Sequence, residues 1–317
     1  MARDRYFQAL RGLAIAAVLL IHCLPQCAAT VALRPFLNFS VALFLFLSGL
    51  LTDEVKIRGG VLRRRIRKVA VPYALWSIVY LIVFPHHSLT SGIVAFIAGS
   101  ASAQMYYLLV YVQLVLLTPL LFKLLLRHRY FVYAITPACL LFRECAAFAG
   151  VALPQIQVLC PMWLIFYVIG LDWKRWSKFI GGHTFRVFIA FCTCLAFQEI
   201  MAFWWYAAGD FNMATTQLKI SSLATSLAAI ALFMTIPASF KTKASASPLV
   251  GLGNASFGIY LCHILVLAVV GKLVGLFSIP SEVSTFTLWA LTLVGSFLFV
   301  STLGRLLPKR IHALIGF

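Results

Sequence analysis

The sequence predicts an all-α fold: a polytopic integral membrane bundle of about ten transmembrane helices, forming one domain over 1–317. Three observations predict it. The 317 residues are 62% hydrophobic and only 11% charged, against about 25% charged in soluble domains, and the mean hydropathy is +0.98. The apolar residues gather into separate runs close to the twenty or so residues that a helix needs to cross a bilayer. The basic residues fall in short clusters between those runs.

Taken in order, the first run covers roughly 8–28 and the second 35–52. A polar stretch, Asp53 to Lys68, carries Lys56, Arg58, Arg63, Arg64, Arg65, Arg67 and Lys68. The third run is about 69–85, followed by His86 and His87, which read as loop residues. The apolar piece at 89–99 is too short to cross and reads as re-entrant or interfacial. The fourth run is about 105–126, the fifth 130–149 and the sixth about 157–172, after a loop at Pro154. The seventh, 185–206, ends in Trp204, Trp205 and Tyr206, an interfacial belt. The eighth is about 218–240, the ninth 254–277 and the tenth 285–306.

A net charge of +18 raises the possibility of nucleic acid, but its distribution argues against it. A nucleic-acid binder shows one basic face over an ordinary core; here the charges alternate from connection to connection. With the N-terminus inside, about 21 of the 26 basic residues fall on the inner side. The positive-inside rule then sets both termini in the cytoplasm and His22 near the outer surface, in a plasma (bacterial inner) membrane. The N-terminus imitates a signal peptide, but Pro25 and Gln26 stand where small residues are needed for cleavage, so the first helix is expected to be retained. The eight cysteines form no CxxC and mostly lie in apolar runs, which suits packing rather than disulfides or metal. No ligand set with metal spacing is seen. There is no internal repeat and no inverted pair of broken helices, features that would favour a transporter.

Arg11 and His22 bracket an apolar decad in the first run. Eleven helical steps return to within about 20° and rise roughly 16 Å, so both share one face, three turns apart. Ionisable groups within a span cost about 2.5–3.5 kcal/mol each on insertion scales and are functional by default. Two readings stand at this point: a signal-anchor helix with a hydrogen-bonded histidine, or a site stretched along one helix.

Six stretches then occur in order. They are Arg11…His22; FLFLSGL, Phe44 to Leu50; LRRRIRKVAVPYALW, Leu62 to Trp76; MYYLLVYVQLVLLTPLL, Met105 to Leu121; WLIFYVIG, Trp163 to Gly170; and LGNASFGIYLCH, Leu252 to His263. The ordered set resembles the membrane acyltransferase-3 family along essentially the whole chain. Many members carry an aromatic, commonly Trp, about where Met105 or Tyr106 stands. The resemblance implies a ten-helix enzyme moving acyl groups from acyl-CoA, acetyl-CoA being the expected donor, to a surface glycan or lipid-linked acceptor.

Acyl transfer from a thioester needs a base for the acceptor hydroxyl, a seat for the donor and stabilisation of the tetrahedral intermediate. His22 is the natural base, because imidazole titrates near neutrality, and the resemblance implies the same role. It implies that Arg11 meets CoA phosphates or orients the thioester; the alternative is an arginine snorkelling to headgroups. It also implies that Arg65 and Lys68, with neighbouring Arg64, bind CoA phosphates, beyond the part the 53–68 stretch plays in topology. Glu144 and Glu199 are candidates for holding the tautomer of His22. The other readings are an Arg143–Glu144 ion pair and, for Glu199, a residue of a water-lined cavity. His263 matches the ninth-run motif and reads equally well as a core histidine. Partners are thus acyl-CoA, a glycan acceptor and the lipid bilayer, with the oligomeric state open. The competing function is a transporter or flippase for a lipid-linked sugar or small solute, and a third is a membrane sensing module.

Overall fold

In hydrocarbon no water satisfies the main chain, so a spanning segment must close its own hydrogen bonds. The fold follows from that constraint. The computed structural model describes residues 4–54, 60–84, 88–154, 156–276 and 281–317, without the side chains of 281–283, 309 and 313. Lys56, Arg58, the His86-His87 pair and part of the 278–284 loop lie outside the described residues.

The helices, in order, are α1 Arg5–Cys23, α2 Ala28–Leu37, α3 Phe39–Leu50, α4 Val61–Val83, α5 Leu89–Ala98, α6 Tyr106–Arg127, α7 Arg129–Phe148, α8 Leu164–Leu171, α9 Trp173–Ile180, α10 Thr184–Ala207, α11 Phe211–Thr215, α12 Ile220–Thr235, α13 Ala238–Ala246, α14 Leu249–Val274, α15 Ser281–Leu306 and α16 Lys309–Ile315. No strand occurs among the described residues. Nine helical stretches among them are long and apolar enough to cross a membrane, with α2–α3 and α11–α12 each counted as one. The protein is a multi-pass all-α membrane protein.

Two expected segments have particular forms. The short run at 89–99 is the ten-residue α5, about 15 Å long and half a bilayer core. A reciprocal capping box between Ser88 and Ser91 starts it, and Gly99 at φ 68° ends it. The run at 157–172 is not one helix. Two single 3₁₀ turns, Ile156–Val158 and Cys160–Met162, precede the eight-residue α8. Pro161 in the second turn has no amide to continue a helix. Thr136 on α7 repairs the break: its hydroxyl donates to the Pro161 carbonyl at 2.7 Å and accepts from the Ile165 amide at 3.1 Å.

The chain forms two compact units. The first unit comprises Met1–Leu24, Gly59–Leu116 and Pro248–Phe317. Its centre is the packing of α1 on α14. A Cβ on Gly12 would lie 2.0 Å from the Leu249 carbonyl oxygen, and one on Gly253 would lie 1.8 Å from that of Gln8. The two backbones therefore touch at reciprocal glycines, the way helices pack where no hydrophobic force drives them together. Trp289 on α15 donates its indole N–H to the Ala16 carbonyl at 2.9 Å, and Tyr80 on α4 its hydroxyl to the Leu261 carbonyl at 2.7 Å.

The second unit comprises Pro25–Arg58 and Leu117–Ser247. The same device recurs where α3 meets α8. A Cβ on Gly49 would lie 2.1 Å from the Tyr167 oxygen, and one on Gly170 would lie 2.3 Å from the Phe46 oxygen. Every residue of α8 from Leu164 to Gly170 is buried. α9 is a short amphipathic helix, with Lys174, Arg175, Lys178 and Phe179 exposed. Its Trp173 ring meets Phe46 edge-on at 5.1 Å.

Gly253→Ala is expected to lower thermal stability by about 1–3 kcal/mol, the range for overpacking. Gly251→Ala, whose Cβ would meet nothing nearer than Phe297 at 3.9 Å, is expected to cost nothing measurable. Melting of both variants in detergent, followed by size-exclusion recovery, checks the pair.

Candidate functional site

The first helix carries Arg11 and His22 on one face. Asp4 caps it, accepting from the amides of Tyr6 at 2.8 Å and Phe7 at 3.4 Å. The helix stops at Cys23, because Leu24 is extended ahead of Pro25. Arg11 and His22 are both half-buried, and Ile15 and Val18 fill the column between them. Arg11 lies close enough to Tyr107 on α6 for the two to interact electrostatically. His22 occupies the last turn.

The α1–α14 crossing decides what His22 meets. His22 stands ten positions after Gly12, and His263 ten positions after Gly253. From a crossing at the glycines, equal climbs along two helices running the same way bring the histidines to one level. Their ring centres are 5.2 Å apart, with the planes tilted by 48°. His263 is fully buried. Its Nδ1 lies 2.8 Å from the Tyr260 carbonyl and 3.2 Å from that of Ile259. A carbonyl only accepts, so Nδ1 carries the proton. Nε2 has no hydrogen-bond partner among the described residues.

Aromatic residues line the same stretch of α14. The Tyr260 hydroxyl donates to the Gln104 carbonyl at 2.6 Å, and its ring lies 5.2 Å from that of Tyr107 and 5.8 Å from that of His263. Arg11, Tyr107, Tyr260, His263 and His22 thus belong to one unit and link pairwise. Sequence reasoning left His263 undecided and passed over Tyr107 and Tyr260. The shared ten-residue spacing from glycine to histidine in both helices was a readable signal for the histidine pair.

Arg64, Arg65 and Lys68 lie in the first two turns of α4. Arg64 and Lys68, four apart, share an exposed face, and Arg65 is half-buried beside it.

Glu144 and Glu199 belong to the second unit, where Lys219 organises them. Lys219 is fully buried, and its ammonium donates to the carbonyls of Met213 at 3.1 Å and Ala214 at 2.7 Å. Glu144, Arg34, Glu199 and Arg143 all act on it electrostatically. One Glu144 oxygen accepts the Ile220 amide at 3.2 Å. Arg143 donates to the Leu218 carbonyl and Arg34 to that of Thr215. Both arginines thus spend donors on the main chain where α11 turns into α12. Glu144 is therefore more than half of an Arg143 ion pair. Nothing in the sequence pattern singled out Lys219 for this role. Among the described residues no three His, Cys, Asp or Glu side chains gather as a metal-binding group.

A family model described as an acyltransferase domain matches residues 4–305. No curated protein and no solved structure matches the chain.

Lys219→Met is expected to leave Glu144 and Glu199 without their buried cation and to lower stability on the order of 3 kcal/mol. Adding Glu144→Gln is expected to recover part of that loss, since the two sites are coupled. Thermal unfolding of the single and double variants measures the coupling.

Proposed function

The chain belongs to the acyltransferase-3 family, and from that premise we propose that it carries an acyl group, acetyl by preference, from cytosolic acyl-CoA to a hydroxyl of a surface polysaccharide or lipid-linked glycan. The family assignment supports a membrane acyltransferase and favours it over the transporter reading. What supports the finer reading is the pairing of Arg11 and His22 on one helix, a phosphate-binding type of side chain three turns from a proton-accepting one.

In this mechanism the His22 imidazole takes the proton of the acceptor hydroxyl. The oxygen attacks the thioester carbonyl and a C–O bond forms. Collapse of the tetrahedral intermediate breaks the C–S bond, and the CoA thiolate leaves with the proton from the imidazolium. His22 occupies the last turn of α1, where free helix carbonyls favour the positive charge that forms during this step. Arg11 orients the donor, and its guanidinium suits phosphate or a polarised carbonyl. Arg64, Arg65 and Lys68 offer the basic surface on which the CoA phosphates dock. Both termini are cytoplasmic in this reading, the membrane is the bacterial inner membrane, and the acyl group passes outward through the helix bundle.

The test is acyl transfer by membranes containing the protein, given radiolabelled acetyl-CoA and scored for label in the lipid-linked and polysaccharide fractions. His22→Ala is expected to lower labelling by about 10²–10⁴-fold, the usual contribution of a general base, while acetyl-CoA binding persists. Arg65→Ala with Lys68→Ala is expected to raise the KM for acetyl-CoA more than it lowers kcat. A His22→Ala protein that inserts normally and transfers within about threefold of wild type ends this reading, because ordinary structural effects account for so small a change.

A further inference from the structure

A histidine that acts as a base needs its other ring nitrogen held, or some of the molecules carry the proton on the wrong atom. Carboxylates commonly do the holding. In the first unit a second imidazole, that of His263, stands beside His22, 5.2 Å away between ring centres. Three observations make that imidazole unusual. It is fully buried. Its Nδ1 proton is committed to the carbonyls of its own helix, Tyr260 and Ile259. Its Nε2 is sealed from solvent and has no partner among the described residues.

A neutral ring with its proton on Nδ1 carries a lone pair on Nε2. A buried acceptor without a donor costs about 1–3 kcal/mol, so its persistence calls for a donor during some part of the working cycle. At 5.2 Å between centres, ring nitrogens turned toward one another come within hydrogen-bond reach, about 3 Å. His263 is held in place, because its Nδ1 is committed to two carbonyls and its ring is fully buried. His22 stands in the last turn of α1, half-buried, and rotation about its χ2 is the movement that joins them. Hydrogen bonds of this kind are often long in the unliganded enzyme and tighten with substrate.

We propose that His263 is a positioning residue for His22: its Nε2 accepts the N–H of His22 and thereby fixes the tautomer that leaves the opposite nitrogen of His22 bare toward the acceptor hydroxyl. The arrangement is an imidazole–imidazole dyad with a neutral orienter. It rests on the reading of His22 as the base. It also assigns the close α1–α14 crossing a chemical task, since the glycine contacts set the level at which the two rings meet.

The experiment separates the two ideas. Full-length protein labelled with ¹⁵N-histidine is placed in lipid nanodiscs, and the His22 ring signals are assigned by their loss in His22→Ala. Nitrogen shifts report which ring nitrogen carries the proton. The wild type is expected to show one His22 tautomer, and His263→Leu a mixture. Two further variants isolate the acceptor from the fold. His263→Asn retains a donor for the Tyr260 carbonyl but does not reach toward His22, whereas His263→Gln carries an acceptor oxygen out to the place of Nε2.

Acyl transfer from radiolabelled acetyl-CoA is expected to fall about 10- to 100-fold in kcat for His263→Leu and His263→Asn. KM for acetyl-CoA is expected to stay within about twofold, and His263→Gln to recover most of the kcat. A His22 tautomer unchanged in both His263→Leu and His263→Asn overturns the proposal whatever the activity. Equal activity of His263→Asn and His263→Gln also overturns it, because a merely structural histidine would not distinguish them. If wild-type membranes transfer no acyl group, the function of the preceding section fails, while the tautomer measurement still decides the dyad.

Discussion

The contact on which both units depend is backbone against backbone. Lipid tails are as apolar as leucine, so burying leucine between two helices gains little in a bilayer. What remains is dispersion at short range and weak Cα–H···O contacts, and both require the main chains to touch. Gly12 with Gly253 and Gly49 with Gly170 provide that touch, each glycine set against a carbonyl of the partner helix. The reciprocity matters: at each crossing both helices give up a side chain, so the seam is closed from both sides.

Around those crossings the polar groups are handled in two ways. In the first unit, long aromatic side chains bring single donors to main-chain oxygens: Tyr80 to Leu261, Tyr260 to Gln104 and Trp76 to Ile315. Each places an apolar ring in the core and one hydrogen bond at its tip. In the second unit the solution is ionic, with Lys219 among two carboxylates and two arginines. Hydroxyl and amide groups extend that polarity: Gln198 donates to Ser222 at 2.9 Å, and Ser222 to the Thr216 carbonyl at 3.0 Å. Buried charge of this density specifies one arrangement at the expense of raw stability.

Much of the fold was legible because hydropathy measures what a bilayer measures. The runs around α1, α4, α6, α7, α10, α14 and α15 stood out by length and composition alone. The segment at 157–172 read as a span because hydropathy is blind to the missing amide of Pro161. At the site, Arg11 and His22 could be paired within one helix by counting residues. The partnership of His22 with His263 needed more: the glycine-to-histidine spacing is the same in both helices, but that the two glycines mark one crossing is visible only in the packing of α1 on α14. Lys219 was hidden for a similar reason. Its neighbours come from α2, α7 and α10, and no local pattern joins them.

The broken segment before α8 has a consequence for how the chain is made. Eight helical residues rise about 12 Å, less than half of a bilayer core. As it leaves the ribosome, this stretch offers the insertion machinery no continuous span and carries a carbonyl at Pro161 that hydrocarbon rejects. The hydroxyl that relieves it, on Thr136, arrives earlier in translation on α7. The main chain of this segment is thus satisfied only against a helix made before it, because Thr136 supplies both the donor for Pro161 and the acceptor for Ile165.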